Sequence, residues 1–209
     1  MPSVRAGEPD HVLLILAPSH RGRRLVGRSS DPGSLVSAIR GDDPVVVFVV
    51  LTPAASSTDR EYVDLAALGP LPLGVGNVVR PGSDATVVAV GQLVPEAVAV
   101  ADELASDIIV EVFDPRTVYL FDWAGLAASV GRTGRLVIID DTNRFCGFAA
   151  EVVSTAAEEL TLTAPPRRVT RPDGTVLPFA PELDRAAQPH RDQLVAAVRG
   201  VCGVAGASG

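Results

Sequence analysis

Asp84-Ala85-Thr86-Val87-Val88-Ala89-Val90-Gly91-Gln92-Leu93-Val94-Pro95 decides the fold. Ala85–Val90 reads as a strand. Pro95 sits at a helix start, where its missing N–H costs nothing. Downstream, Val94, Ala97, Val98, Ala101 and Leu104 recur at helical spacing and form one apolar face. The same unit then repeats outward. Ile108–Phe113 is a second strand, and Asp122 caps a helix carrying Leu126 and Val130. Leu136–Ile139 is a third strand, and Phe148–Leu160 is a helix with Val152, Val153 and Ala156 inward. Arg168-Val169-Thr170 reads as an edge strand and Gln193–Val201 as a last helix. Strands alternating with helices at this spacing predict an α/β fold with a mostly parallel sheet and right-handed crossovers.

Upstream the pattern is thinner. Val12–Ala17 and Val45–Leu51 are apolar runs, and Val45–Val50 has no alternation, as expected of a strand buried on both faces. Leu35, Val36 and Ile39 have helical spacing, and Asp42-Asp43-Pro44 ends that helix. Two strands and one helix cannot cover both faces of a sheet, so this block needs a neighbour. From Thr52 to Gly82 proline, serine, glycine and scattered charge dominate without a period, which predicts a linker. The expected division is an N-terminal fragment over 1–55, a linker over 56–82 and a main domain over 83–209.

The 209 residues suffice for one medium domain, or one and a fragment. Hydrophobic content of 47% with 21% charge is that of a globular chain. A net charge of -7 without a basic stripe argues against nucleic acid as a partner. All 18 basic residues are arginine, which excludes a Schiff-base lysine and a P-loop lysine and suggests a GC-rich genome. Cys146 and Cys202 lie in no metal-ligand spacing and read as reduced thiols. The N-terminus lacks the pattern of a signal peptide, and Val12–Ala17 is too short to cross a bilayer. The expectation is a soluble, cytoplasmic protein with no membrane partner.

Several stretches, in order, resemble the beta subunits of 2-oxo acid dehydrogenases, thiamine diphosphate enzymes of the transketolase superfamily. Leu71-Pro72-Leu73-Gly74 and Val78-Val79-Arg80-Pro81-Gly82 resemble the start of that family's C-terminal domain, and Asp84–Gly91 its first strand there. Phe113-Asp114-Pro115-Arg116-Thr117 through Asp122-Trp123 is similar to its Arg-Thr-x-x-Pro-hydrophobic-Asp element. Thr133–Ile139 resembles the third strand, and Gly147-Phe148-Ala149-Ala150-Glu151 a Gly-Phe-Gly-Ala-Glu turn. Pro166–Thr170, Leu177-Pro178-Phe179 and Pro181-Glu182-Leu183 follow in the family's order. Ser37–Arg40 with Val45–Phe48 resembles the last helix and strand of the family's pyrimidine-binding domain, so 1–55 reads as a fragment of that domain.

The resemblance implies a beta-like subunit that works with thiamine diphosphate and Mg2+ bound mainly by a partner subunit. It further implies transfer of a two-carbon unit from a 2-oxo acid or ketose to a lipoyl domain or acyl carrier protein. The glutamate that makes the cofactor's internal base has no counterpart in this chain. The Gly-Asp-Gly…Asn metal signature is also missing; Gly41-Asp42-Asp43 and Pro172-Asp173-Gly174 are the nearest strings and do not fit it. A non-catalytic subunit that organises the complex is therefore the alternative, and a free-standing flavodoxin-like domain is a third reading.

Four residues are candidate sites. His20 follows the first strand where family members have a substrate-contacting histidine; a solvated turn histidine is the competing reading. Asp140 and Asp141 end the third strand, and Arg144 lies in the loop beyond it, at the edge where open parallel sheets bind ligands. Paired carboxylates suit acid–base work, and caps or salt bridges are the plainer alternative. Arg144 suits a substrate or carrier phosphate, or is a solvated loop charge. His11 and His190 read as surface residues. Gly74-Val75-Gly76 lacks the strand, helix and third glycine of a dinucleotide loop.

Overall fold

The computed structural model describes residues 13–17, 31–41, 45–49, 70–174, 176, 178 and 180–204. His11 and His20 lie outside the described residues, as do Leu177 and Phe179.

Among the described residues, eight strands and six helices run in the order β1 (Leu13–Ala17), α1 (Asp31–Arg40), β2 (Val45–Val49), β3 (Asn77–Arg80), β4 (Ala85–Ala89), α2 (Val94–Glu103), β5 (Val110–Asp114), β6 (Thr117–Tyr119), α3 (Trp123–Thr133), β7 (Leu136–Asn143), α4 (Phe148–Glu159), β8 (Arg167–Arg171), α5 (Pro181–Ala187) and α6 (Arg191–Val201). A single 3-10 turn, Gly91–Leu93, leads from β4 into α2. The main sheet has the order β3-β5-β4-β7-β8. Its β5, β4, β7 and β8 are parallel, and β3 is antiparallel on the edge.

Strand periodicity sorts the two faces. Val87, Ala89, Val110, Val112, Val137, Ile139 and Val169 pack against α2 and α6, through Ala97, Val100, Ala101, Leu194 and Val198. Val88, Phe113, Leu136 and Ile138 face α3 and α4, through Leu126, Val130, Val152 and Ala156. Every residue of β4 and of β5 is buried, as expected of central strands covered on both sides. The expected α/β architecture is therefore observed, as a three-layer sandwich. Within it Glu111 of β5, 1% exposed, is neutralised by Arg132 of α3 at 2.8 Å. The ends of α3 are fixed as the sequence indicates: Asp122 Oδ1 accepts from the N–H of Gly125 at 2.8 Å, and Gly134 closes the helix with φ +68°.

The structure corrects the sequence reading in four places. Residues 77–80, within the expected linker, form β3; Val78 pairs with Phe113, and only one side of an edge strand needs a partner, so four residues suffice. Gly82 lets this turn run flush on β5, since a Cβ there would strike the Val110–Glu111 peptide. The strand after α3 continues to Asn143, so Asp140 and Asp141 stand within β7. Thr117–Tyr119, too short for a periodic signal, is a strand that leaves the main sheet and pairs antiparallel with β1. The result is a second sheet, β2-β1-β6, in which β1 and β2 are parallel. The expected apolar stripe on α1 is also revised. Ile39 is 73% exposed, while Ser37 Oγ donates to the carbonyl of Leu71 at 2.6 Å and Leu71 N–H to the carbonyl of Gly33.

Candidate functional site

In the main sheet the chain passes from β4 to β5 on one side and then returns to β7 on the other. The crevice outside the carboxyl ends of β4 and β7 is thus the topological switch point, where open parallel sheets place ligands. Two helices leaving in opposite directions, α2 and α4, open the backbone there. β1 of the second sheet runs beside the 91–93 turn and so flanks the crevice.

Gly91, with φ +58°, turns the chain so that Gln92 looks across the switch point. Gln92 Nε2 donates to Asp141 Oδ2 at 3.0 Å, which clamps the end of β4 to the end of β7. Asp141 is partly exposed beside this clamp.

Asp140 points elsewhere. It is 1% exposed, and its Oδ2 accepts from the backbone N–H of Ala149 at 3.1 Å, in the first turn of α4. Its Oδ1 accepts from the N–H of Thr142 at 3.2 Å, and the Thr142 hydroxyl donates to Oδ2 in a short contact. A carboxylate at a helix N-terminus meets otherwise unpaired N–H groups and the positive end of the dipole. Burial nevertheless dominates and raises the Asp140 pKa, against the hydrogen bonds from Thr142 and Ala149. Asp140 is thus a cap that ties β7 to α4. The two adjacent acids do not form an acid–base pair, because their side chains serve different partners.

The loop from 143 to 147 is fixed through its backbone. Arg144 N–H donates to the carbonyl of Arg171 at 3.2 Å, and Arg168 Nη1 to the carbonyl of Arg144 at 2.9 Å. The side chain of Arg144 is exposed and makes no ion pair among the described residues. Gly147 is required, since a Cβ would collide with the Asn143 carbonyl and the Thr142 hydroxyl. Arg144 therefore leaves the same loop as the two acids without joining either.

Sequence reasoning missed Gln92 and a further acid, Asp114. Asp114 ends β5, is 9% exposed, and accepts from the N–H of Arg116 at 2.8 Å. Burial raises its pKa against that hydrogen bond and the Arg116 charge. Arg116 adopts φ +59°, and its Nη1 lies 3.4 Å from the carbonyl of Val75. The rule that singled out Asp140, a polar residue at the carboxyl end of a parallel strand, finds Gln92 and Asp114 when applied to every strand.

Among the described residues no three His, Cys, Asp or Glu side chains converge in a way that could hold a metal ion. With Asp140 and Asp141 aimed apart, these residues do not fit the metal–diphosphate end of thiamine diphosphate. Cys146 and Cys202 are free, as expected. No helix among the described residues is long and apolar enough to cross a membrane.

The family described as transketolase, C-terminal domain, matches residues 74–194. The chain is similar to the pyruvate dehydrogenase E1 component subunit beta of Bacillus subtilis (strain 168), with 36% identity over 169 residues, 78% of this chain and 50% of that one. It is also similar to the acetoin:2,6-dichlorophenolindophenol oxidoreductase subunit beta of the same organism, with 33% identity over 78% of this chain and 47% of that one. It thus spans about half the length of these curated relatives. A solved split gene transketolase, described as an inactive beta4 tetramer, superposes with a TM-score of 0.69 at 21% identity, covering 92% of this chain and 58% of the other. That likeness concerns the fold.

Proposed function

Because the chain belongs to the transketolase C-terminal domain family, we propose that it is a beta-type subunit of a heteromeric thiamine diphosphate-dependent enzyme. One observation carries the reading: 36% identity, over 78% of the chain, with a protein named as an E1 beta subunit. In this reading residues 83–209, with β3 added in front, are the C-terminal domain, and residues 1–55 belong to a pyrimidine-binding domain. Thiamine diphosphate and Mg2+ reside mainly on the partner subunit. The assembled enzyme moves a two-carbon unit from a 2-oxo acid or ketose to a lipoyl domain, whose disulfide takes up the two electrons released, or to the thiol of an acyl carrier protein, with a separate two-electron acceptor.

The residues of this chain then have limited roles. His20 is the proposed substrate contact, and Asp141, held by Gln92, and Arg144 meet substrate or carrier at the active-site mouth. Asp140 holds the loop that carries them. The cytoplasm is the proposed location. A second reading, a non-catalytic subunit that organises the complex, is favoured by the engagement of Asp140 and Asp141 in structural hydrogen bonds.

Reconstitution with a thiamine-binding alpha-type subunit separates the two. Reduction of a dye acceptor that depends on a 2-oxo acid should require both chains. Turnover by the partner alone, at the rate of the mixture, would leave only the organising role.

A further inference from the structure

The Gln92–Asp141 hydrogen bond is not needed to hold the main sheet together. Just after β4 the N–H of Val90 donates to the carbonyl of Ile139 at 3.2 Å, so backbone already joins this end of β4 to β7. The turn that carries Gln92 is anchored without its side chain. Leu93 is buried and donates its N–H to the carbonyl of Val90 at 3.2 Å, and β1 runs beside the turn. Fixing a glutamine side chain costs rotamer freedom about as large as one hydrogen bond to a half-exposed carboxylate returns. The clamp therefore adds little to the fold. What it fixes is the direction of Asp141.

Successive side chains of β7 take opposite faces. Asp140 follows Ile138 toward α3 and α4, where it caps α4, and Asp141 follows Ile139 toward α2. Gln92 takes Asp141 Oδ2, and Oδ1 accepts no hydrogen bond among the described residues. Neither oxygen forms an ion pair there. A carboxylate oxygen set in place with no cation beside it can only accept. It suits a neutral N–H donor and repels an anion. In a transfer from a 2-oxo acid, the acid itself is anionic and fits poorly. The arms of both proposed carriers hold the fitting group, an amide N–H: one where a lipoyl group joins its lysine, two along a pantetheine chain.

We infer that Gln92 is a positioning residue that presents Asp141 to an amide N–H of the carrier's arm, so that the pair favours neutral amide arms over anionic ones. The inference rests on the proposed carrier-dependent transfer and assigns the group recognised in it. Asp141 makes the contact, and Gln92 acts through Asp141.

The reconstituted heteromer, given a 2-oxo acid, tests this with small acceptors. Lipoamide ends in a neutral amide and lipoate in a carboxylate. In either, the disulfide opens: one sulfur takes the acyl group, the other a proton, and carbon dioxide leaves. Gln92→Met keeps the length of the side chain and removes its donor. It should raise KM for lipoamide about tenfold, as loss of one hydrogen bond to a charged group does, with no rise for lipoate and an unchanged melting temperature. Asp141→Ala should do the same, and adding Gln92→Met to it should change nothing more. The same rise for pantetheine instead, with the dye as the separate two-electron acceptor, supports the contact and names an acyl carrier protein as its source. Unchanged KM for both lipoamide and pantetheine in Gln92→Met overturns the inference. So does an equal rise for lipoamide and lipoate, or a further loss in the double variant. A wild-type heteromer without dye reduction that depends on the 2-oxo acid removes the enzymatic reading and this role with it. Dye reduction with acceptor KM values indifferent to Gln92 removes the role of Gln92 alone.

Discussion

Asp140 and Asp141 are neighbours with opposite duties, and single substitutions should separate them. Asp140→Ala leaves the N–H groups of Thr142 and Ala149 without their acceptor inside the protein. Loss of a cap with buried donors costs about 1–3 kcal/mol, so a thermal melt should fall by several degrees. Asp141→Ala and Arg144→Ala touch only exposed or half-exposed groups and should leave the melt nearly unchanged while lowering turnover of the reconstituted enzyme. A large loss of stability with full turnover would assign both to the scaffold. The buried acids also set a pH dependence. In Asp140 and Asp114 burial raises the folded-state pKa above the ordinary 3.8. The unfolded chain therefore ionises them first, and their contribution is greatest below about 3.8 and is lost as pH rises through the raised folded values. The melting temperature of Asp114→Asn, relative to wild type, should thus climb between acid and neutral pH; a flat difference would refute the assignment. What was legible about these residues was position. That Asp140 lies toward the carboxyl end of a parallel strand is written in its neighbours, although the strand runs on to Asn143, whereas its cap role depends on a loop that returns α4 to it.

At the scale of elements, the β7–α4 loop is a tightly enclosed joint. Gly147→Ala should destabilise the protein by about 1–3 kcal/mol, because backbone on one side and a hydroxyl on the other leave no room for a methyl group. Denaturant unfolding would read this directly, and a neutral result would mean that the loop can relax. Strands β4, β5 and β7 and helices α2, α3, α4 and α6 were readable because each carries enough apolar residues to impose a period and shows a start or stop signal, such as Pro95 or Asp122. Strands β3 and β6 were not. Four and three residues cannot display a period, and what makes them strands is a neighbour already in place. The exposed Ile39 has the same lesson from the other side: helical spacing identified α1, but it did not show that Ile39 would stay in water while Gly33 and Ser37 hydrogen-bond Leu71.

For the whole molecule, cofactor and partner are one question. The chain alone should bind thiamine diphosphate with magnesium negligibly; calorimetry giving a dissociation constant below about 10 μM, near -7 kcal/mol, would contradict this. β2 stands at the edge of the second sheet, with Val46 43% exposed and Ile39 of α1 unshielded. A permanent partner would cover such a surface, with about 2,000 Å² or more buried. Co-expression with the thiamine-binding subunit should raise solubility and give one stoichiometric species on size exclusion. A monodisperse monomer that ignores that subunit would speak against it. One detail of the topology reaches further. β5 and β6 are separated by only Pro115 and Arg116, yet they belong to different sheets. The body of the protein thus lends a strand to its own N-terminal block. A piece begun at residue 70 would carry Thr117–Tyr119 as an empty slot, ready to accept the 13–17 strand from a separate peptide or from another molecule, so that the two halves are exchangeable parts of one architecture.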